Sequence, residues 1–136
     1  AIWLHDSYGY HIGVFVNPGQ EYLAKKFSSV AEEQKFASFS LLDVMDFSTI
    51  GALMQRANFI ITGDTGLMHI AIGVKARVLT LFTHTRPEAV MPRDVLLIPC
   101  FIEDTNKLNQ YGVPMAIEDL SLDYVKNKIV DLHQQL

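Results

Sequence analysis

Cysteine is nearly absent from this chain of 136 residues, where Cys100 stands alone. That excludes an internal disulfide framework and any cysteine-built zinc cluster. Basic charge is also scarce: 11 Lys and Arg face 15 Asp and Glu, for a formal charge of −4, and no Lys/Arg-rich run occurs. A chain with this balance lacks the basic surface that non-specific nucleic-acid binding needs. Long apolar runs are missing too. The longest stretch free of Asp, Glu, Lys and Arg, Ser7 to Gln20, has 14 residues and is interrupted by Gly9, Gly13, Pro18 and Gly19, so nothing reads as a bilayer-spanning helix. No basic segment followed by an apolar block opens the chain, and no secretory signal is expected. There is no Walker loop, no Gly-x-Gly-x-x-Gly and no Gly-x-Ser-x-Gly elbow, so kinase, dehydrogenase and hydrolase readings lack their motifs. His5, His11 and His84 fall in no metal-ligand pattern, and no metal site is expected.

What is present is an ordinary globular composition, 49% apolar and 19% charged, with length for one domain. We expect residues 1–136 to form a single domain in a reducing compartment. The chain begins Ala-Ile-Trp, and we expect it to be a piece of a longer protein.

The apolar pattern changes period along the chain. Ile12 to Val16 is a β-branched and aromatic run closed by Asn17-Pro18-Gly19, which predicts a buried strand and a turn. Gln20 to Gln34 carries Leu23, Phe27, Val30 and Ala31 at helical spacing. One short strand is expected between Phe36 and Met45. Ser48 suits a helix N-cap, with Ile50, Leu53, Met54 and Ala57 on one face of the helix. Strands follow at Asn58–Thr62, Arg77–Phe82 and Val95–Ile98, with a helix from Leu67 to about Val74. Ser121 to Leu136 reads as a capped helix with a Leu122, Val125, Ile129, Leu132 stripe. Apolar strands alternating with helices predict an α/β fold, a Rossmann-like parallel sheet with helices on both faces.

In such sheets ligands collect at the carboxyl ends of the strands. The loop Thr62-Gly63-Asp64-Thr65-Gly66 has the composition of an anion site, where the amides of Thr65, Gly66 and Leu67 at a helix start suit a phosphate or diphosphate. The same residues also fit an ordinary turn, with Asp64 or Thr65 as N-cap. His69, one turn past Thr65, reads either as a ligand-end residue or as a hydrogen-bonded core histidine. Thr85 and Arg86 follow the adjacent strand, and an Arg there can pair with phosphate oxygens or simply sit in solvent. Glu21, after the first strand, can accept from sugar hydroxyls or serve as an acid in the first turn of a helix.

The run from Asp46 through Asp64-Thr65-Gly66-Leu67-Met68-His69-Ile70-Ala71 to Thr85 resembles the C-terminal domain of family 9 glycosyltransferases, the ADP-heptose:lipopolysaccharide heptosyltransferases and their relatives. Asp64, Thr65, Gly66, His69 and Ala71 match that family's Asp-(Ser/Thr)-Gly-x-x-His-x-Ala. Met115, Ile117 and Ser121 resemble its ending, and the likeness runs from about Val14 to the C-terminus. The resemblance implies the donor-binding half of a GT-B enzyme, in which two Rossmann-like domains face each other across a cleft. It places Thr65, Gly66 and Leu67 on the diphosphate of an ADP-sugar or other nucleotide-diphosphate sugar, with Asp64 toward the sugar and His69 supporting the loop. Glu21 is then at the ribose and Phe47 against the base, while Thr85 and Arg86 belong to the neighbouring donor loop. The nucleotide sugar is substrate, and no cofactor is expected.

Two departures stand out. Phe82-Thr83-His84-Thr85 replaces the family's Phe-Gly-Pro-Thr, and the usual tail cysteines are reduced to Cys100. The resemblance also implies that the catalytic base, the acceptor site and a phosphate-contacting Lys lie outside these residues. The expected function is transfer of a sugar, as in heptosyltransferases, to a lipopolysaccharide or other saccharide acceptor. It is expected in the bacterial cytoplasm at the inner face of the inner membrane, with this chain inactive alone. A non-catalytic binding or regulatory module that has lost donor binding is the alternative, and a nucleotide-sugar epimerase of GT-B type is a third reading.

Overall fold

The computed structural model describes residues 1–16, 19–41, 46–83, 85–90, 97–100 and 116–134. The chain forms two compact units, Ala1–Met45 and Asp46–Leu136, and both are built from parallel strands and helices.

The first unit opens with α1 (Ile2–Tyr8), a helix that the sequence reading did not anticipate. Its stop signal is Gly9, whose left-handed backbone (φ 68°) turns the chain as its N–H donates to His5 O at 2.7 Å. Strand β1 (Ile12–Phe15) pairs in parallel with β2 (Ser38–Leu41), from Ile12 opposite Ser38 to Phe15 opposite Leu41. Helix α2 (Glu21–Glu33) connects them, as a parallel pair requires. Leu4, Ala24, Ala31 and Phe36 are buried in this unit, and Phe27 meets Phe36 edge-on at 5.8 Å between ring centroids. Gly13 stands opposite Phe39, whose ring lies where a Cβ on Gly13 would project.

The second unit contains α3 (Phe47–Arg56), β3 (Ile60–Gly63), α4 (Gly66–Gly73), β4 (Val78–Leu81), α5 (Pro87–Val90), β5 (Leu97–Cys100) and α6 (Leu122–His133), with a 3₁₀ turn at Ile117–Asp119. Its sheet has the order β3-β4-β5, all parallel, with β4 in the centre. The central position explains why β4 is buried even at its one polar residue, Thr80. Val78, Leu79, Thr80 and the following Phe82 have no exposed surface, because both faces of a central parallel strand are covered. Helix α4 packs on β3 and β4, and α6 on β4 and β5 through its buried Ile129 and Leu132. Helix α3 lies on α4, where Gly51 leaves room for the side chains of Val74 and Ile70. A Cβ at Gly51 would stand 3.1 Å from Val74 Cγ1.

Several expected boundaries move. The N-cap of α3 is Asp46, not Ser48, because the carboxylate of Asp46 accepts from Thr49 N–H at 2.9 Å and the helix has already begun at Phe47. Strand β3 starts at Ile60, not Asn58, since pairing with β4 begins with Ile60 opposite Val78. Strand β5 runs Leu97–Cys100, where Leu97 meets Val78 and Cys100 meets Leu81. The expected start of that strand at Val95, like residues 42–45 of the second strand's expected range, lies outside the described residues. The expected Ser121 cap is present, with Ser121 Oγ accepting from Tyr124 N–H at 3.1 Å.

Helices α2 and α4 end alike. Phe36 N–H donates to Ala31 O and Lys35 N–H to Glu32 O, at 3.1 and 3.2 Å. Ala76 N–H donates to Ala71 O and Lys75 N–H to Ile72 O, both at 2.9 Å. Each is the paired closure of a Schellman motif. Its left-handed residue, usually glycine, is here a lysine, with φ 55° at Lys35 and 59° at Lys75. The buried pairs Ala31/Phe36 and Ala71/Ala76 seal the two ends from the core side.

Candidate functional site

Strand β3 ends at Gly63 and α4 begins at Gly66, so Asp64 and Thr65 form the whole link. The backbone of Thr65 is extended (φ −141°, ψ 172°) and occupies the N-cap position, yet its hydroxyl makes no bond to the first turn. That hydroxyl instead lies 3.5 Å from Thr62 Oγ1, which donates to Gly63 O at 3.1 Å. The first turn is closed from within by Met68 N–H donating to Thr65 O at 3.0 Å. The amides that open α4 are thus without a Thr65 cap, at the positive end of the helix dipole.

Neither Gly63 nor Gly66 has the left-handed backbone that would require glycine for the turn itself. A Cβ at Gly66 would meet open space. The glycine therefore leaves room beside the helix start instead of relieving strain. Thr65, Gly66 and His69 are exposed, while Asp64 and Leu67 are half-buried. The exposure of His69 removes the core-histidine reading and leaves the imidazole on the solvent side of α4, one turn beyond Thr65.

Helix α3 leads by a short link into the start of β3, and α4 leaves its end. Midway along α3, Gly51 faces Val74 and Ile70 in the later part of α4, and Phe47 opens α3 one turn before Gly51. Phe47 is 75% exposed. Just before it, Asp46 accepts from Thr49 N–H through Oδ1 and from Thr49 Oγ1 through Oδ2, each at 2.9 Å. The bond from Thr49 N–H is the main cause holding the Asp46 carboxyl below the usual carboxylate range, and the Thr49 hydroxyl adds to it. The capping role of Asp46 was legible as an acid three residues before a Thr at the head of an apolar-periodic run, but Ser48 competed for it.

Thr85, half-buried, and Arg86, exposed, follow the carboxyl end of β4, the strand next to β3. His84 of the same loop lies outside the described residues. Asp64, Thr65, Gly66, Leu67, His69, Phe47, Thr85 and Arg86 thus all belong to the second unit. Glu21 belongs to the first, in the opening turn of α2. Its Oε1 accepts from Gly19 N–H at 2.9 Å, and this bond is the main reason its carboxyl titrates below the ordinary range. Glu21 therefore takes the helix-start position that the sequence offered as one of two readings. Among the described residues no group of three His, Cys, Asp or Glu side chains is placed to hold a metal ion. No helix among them is long and apolar enough to cross a membrane.

Comparison with known proteins identifies the family and the fold. The family model of glycosyltransferase family 9 (heptosyltransferase) matches residues 4–110. No curated protein matches the chain. Of the solved structures, the ADP-heptose lps heptosyltransferase II of E. coli superimposes with a TM-score of 0.76 at 17% identity, over 98% of this chain and 39% of that one. The glycosyl transferase family 9 protein of Veillonella parvula DSM 2008 superimposes with a TM-score of 0.65 at 15% identity, over 98% of this chain and 50% of that one. The chain thus spans half or less of the length of the structures it matches, and what it shares with them at these identities is the fold, α/β with parallel sheets flanked by helices.

Proposed function

The chain belongs to glycosyltransferase family 9, and from that premise we propose that it is the nucleotide-sugar-binding domain of a heptosyltransferase-like GT-B enzyme. The observation that carries the reading is the start of α4. There the family-like Asp64-Thr65-Gly66-x-x-His69 stands at the carboxyl end of β3, its amides uncapped by Thr65 and open space beside Gly66. In this reading the diphosphate of the donor lies on the amides of Gly66 and Leu67 and the hydroxyl of Thr65. Asp64 faces the sugar hydroxyls, His69 flanks the loop from the solvent side, and Phe47 lies against the base. Thr85 and Arg86 complete the rim from the next strand.

The chemistry follows from those positions. An acceptor hydroxyl attacks the anomeric carbon while the bond from that carbon to the diphosphate oxygen breaks. Charge then develops on the leaving diphosphate, where fixed amides, the helix dipole and the Arg86 guanidinium stabilise it. A general base must take the hydroxyl proton. We assign that base and the saccharide acceptor site, lipopolysaccharide or another glycan, to the partner domain of the whole enzyme, working in the cytoplasm at the inner membrane. The 136 residues alone then bind donor without turning it over.

The test is chemical-shift perturbation by NMR, with ADP, UDP and GDP titrated separately into the chain. Shifts centred on Phe47 and Asp64 to His69, with one base preferred, are the expected result. Perturbations elsewhere, or none at millimolar nucleotide, would overturn the assignment.

A further inference from the structure

The start of α3 has a feature the donor reading does not use, the pair of bonds that brackets Phe47. Phe47 is the most exposed large apolar side chain among the described residues, and it sits inside a clamp. Asp46 on one side of it holds both the N–H and the hydroxyl of Thr49 on the other, each at 2.9 Å. A helix start without such bonds leaves its first amides unsatisfied and frays. Here the first turn is closed by two bonds from one carboxylate, so the backbone that carries the ring is fixed and only the ring's own two side-chain torsions remain free. The helix bearing it is seated on α4 at Gly51, against Val74 and Ile70, one turn after the ring. Affinity improves when a stacking group is ordered before its ligand arrives, because less freedom is lost on binding.

Resting on the base-binding reading of Phe47, we propose that Asp46 is a positioning residue that clamps Thr49 to hold the Phe47 ring ready for the base of a nucleoside diphosphate. Asp46 touches no part of the donor. It determines how much of the binding depends on the base, and leaves the diphosphate contacts at Thr65 to Leu67 unchanged.

The experiment compares the affinity of the chain for ADP with its affinity for inorganic pyrophosphate, which carries no base. Asp46→Ala should weaken ADP by roughly three- to tenfold, within the range of base stacking on an aromatic ring, and leave pyrophosphate unchanged. Asp46→Asn should keep the parent ratio, because its amide oxygen accepts from Thr49 N–H and its NH₂ donates to the Thr49 hydroxyl. In a Phe47→Ala background Asp46→Ala should have no further effect. Equal losses for ADP and pyrophosphate, no loss, or a loss that persists without Phe47 would overturn the positioning role. If Phe47→Ala itself leaves the ADP-to-pyrophosphate ratio untouched, the base-binding reading falls and Asp46 with it. If Phe47→Ala collapses the ratio and Asp46→Ala does not, the positioning role alone falls.

Discussion

Replacing Lys75 by glycine should make the protein more stable. Lys75 holds φ 59° at the end of α4, and its N–H closes the helix on Ile72 O. An L-residue with a side chain carries a cost of roughly 1–2 kcal/mol in that left-handed region. Glycine adopts it freely but brings a more flexible unfolded chain, worth about 0.4–1 kcal/mol in the other direction. The difference predicts a gain of about 0.5–1 kcal/mol. Lys35 has the same backbone (φ 55°) and the same pair of bonds at the end of α2, in the other compact unit, so Lys35→Gly should give a similar gain. The two should add, as substitutions without shared partners do. Lys75→Ala serves as control, since alanine bears the same Cβ penalty and should change little. Equilibrium urea unfolding at constant m-value is the assay, and nucleotide affinity should not move, because Lys75 follows the opposite end of α4 from Gly66. If Lys75→Gly is neutral or destabilising while Lys75→Ala is neutral, left-handed strain is not stored there and the reasoning is wrong.

Two other predictions rest on single groups. Cys100 is fully buried, and burial pushes its thiol from 9.0 up to about 11, with Lys128 pulling weakly the other way. The folded state holds that proton more tightly than the unfolded one, so its contribution is complete below pH 9 and is lost as pH rises toward 11. Two units amount to about 2–3 kcal/mol at most. The fall in urea stability between pH 8 and 11 should therefore be shallower in Cys100→Ala, and parallel slopes would count against the burial argument. The helix caps give the second prediction. Ser121→Ala, which removes the acceptor for Tyr124 N–H, should destabilise by about 1 kcal/mol. Thr65→Ala removes no cap bond and should change stability little while weakening nucleotide binding. A Thr65→Ala variant that melts early but binds normally would make Thr65 an ordinary cap.

Much of the fold is local and was therefore legible. Strands β1 and β4 are announced by short β-branched runs. Helices α2 and α6 follow from 3.6-residue spacing, and the end of β3 with the start of α4 from glycine, acid and hydroxyl side by side. These signals depend on a residue and its near neighbours in the chain, and the tertiary structure left them in place to within a residue or two. The stretch Ile2–Tyr8 shows the opposite case. It is too short to be stable as a helix by itself, and it forms with Leu4 buried in the first unit and Gly9 closing its end.

The sequence by itself determined the element types, the alternation that makes the sheets parallel, and the family-like segment that ends β3 and opens α4. Only the tertiary structure showed that Asp46, and not the expected Ser48, caps α3: the extended backbone at Asp46 lets its carboxylate accept from Thr49 N–H, while Ser48 already lies inside the helix. Packing also decided that His69 faces solvent, because burial depends on what lies opposite, which the helical period does not encode. It decided that Lys35 and Lys75 take a backbone normally left to glycine. Their own side chains disfavour it, but the turn must bring Phe36 and Ala76 back onto the core, and burying those residues outweighs the strain.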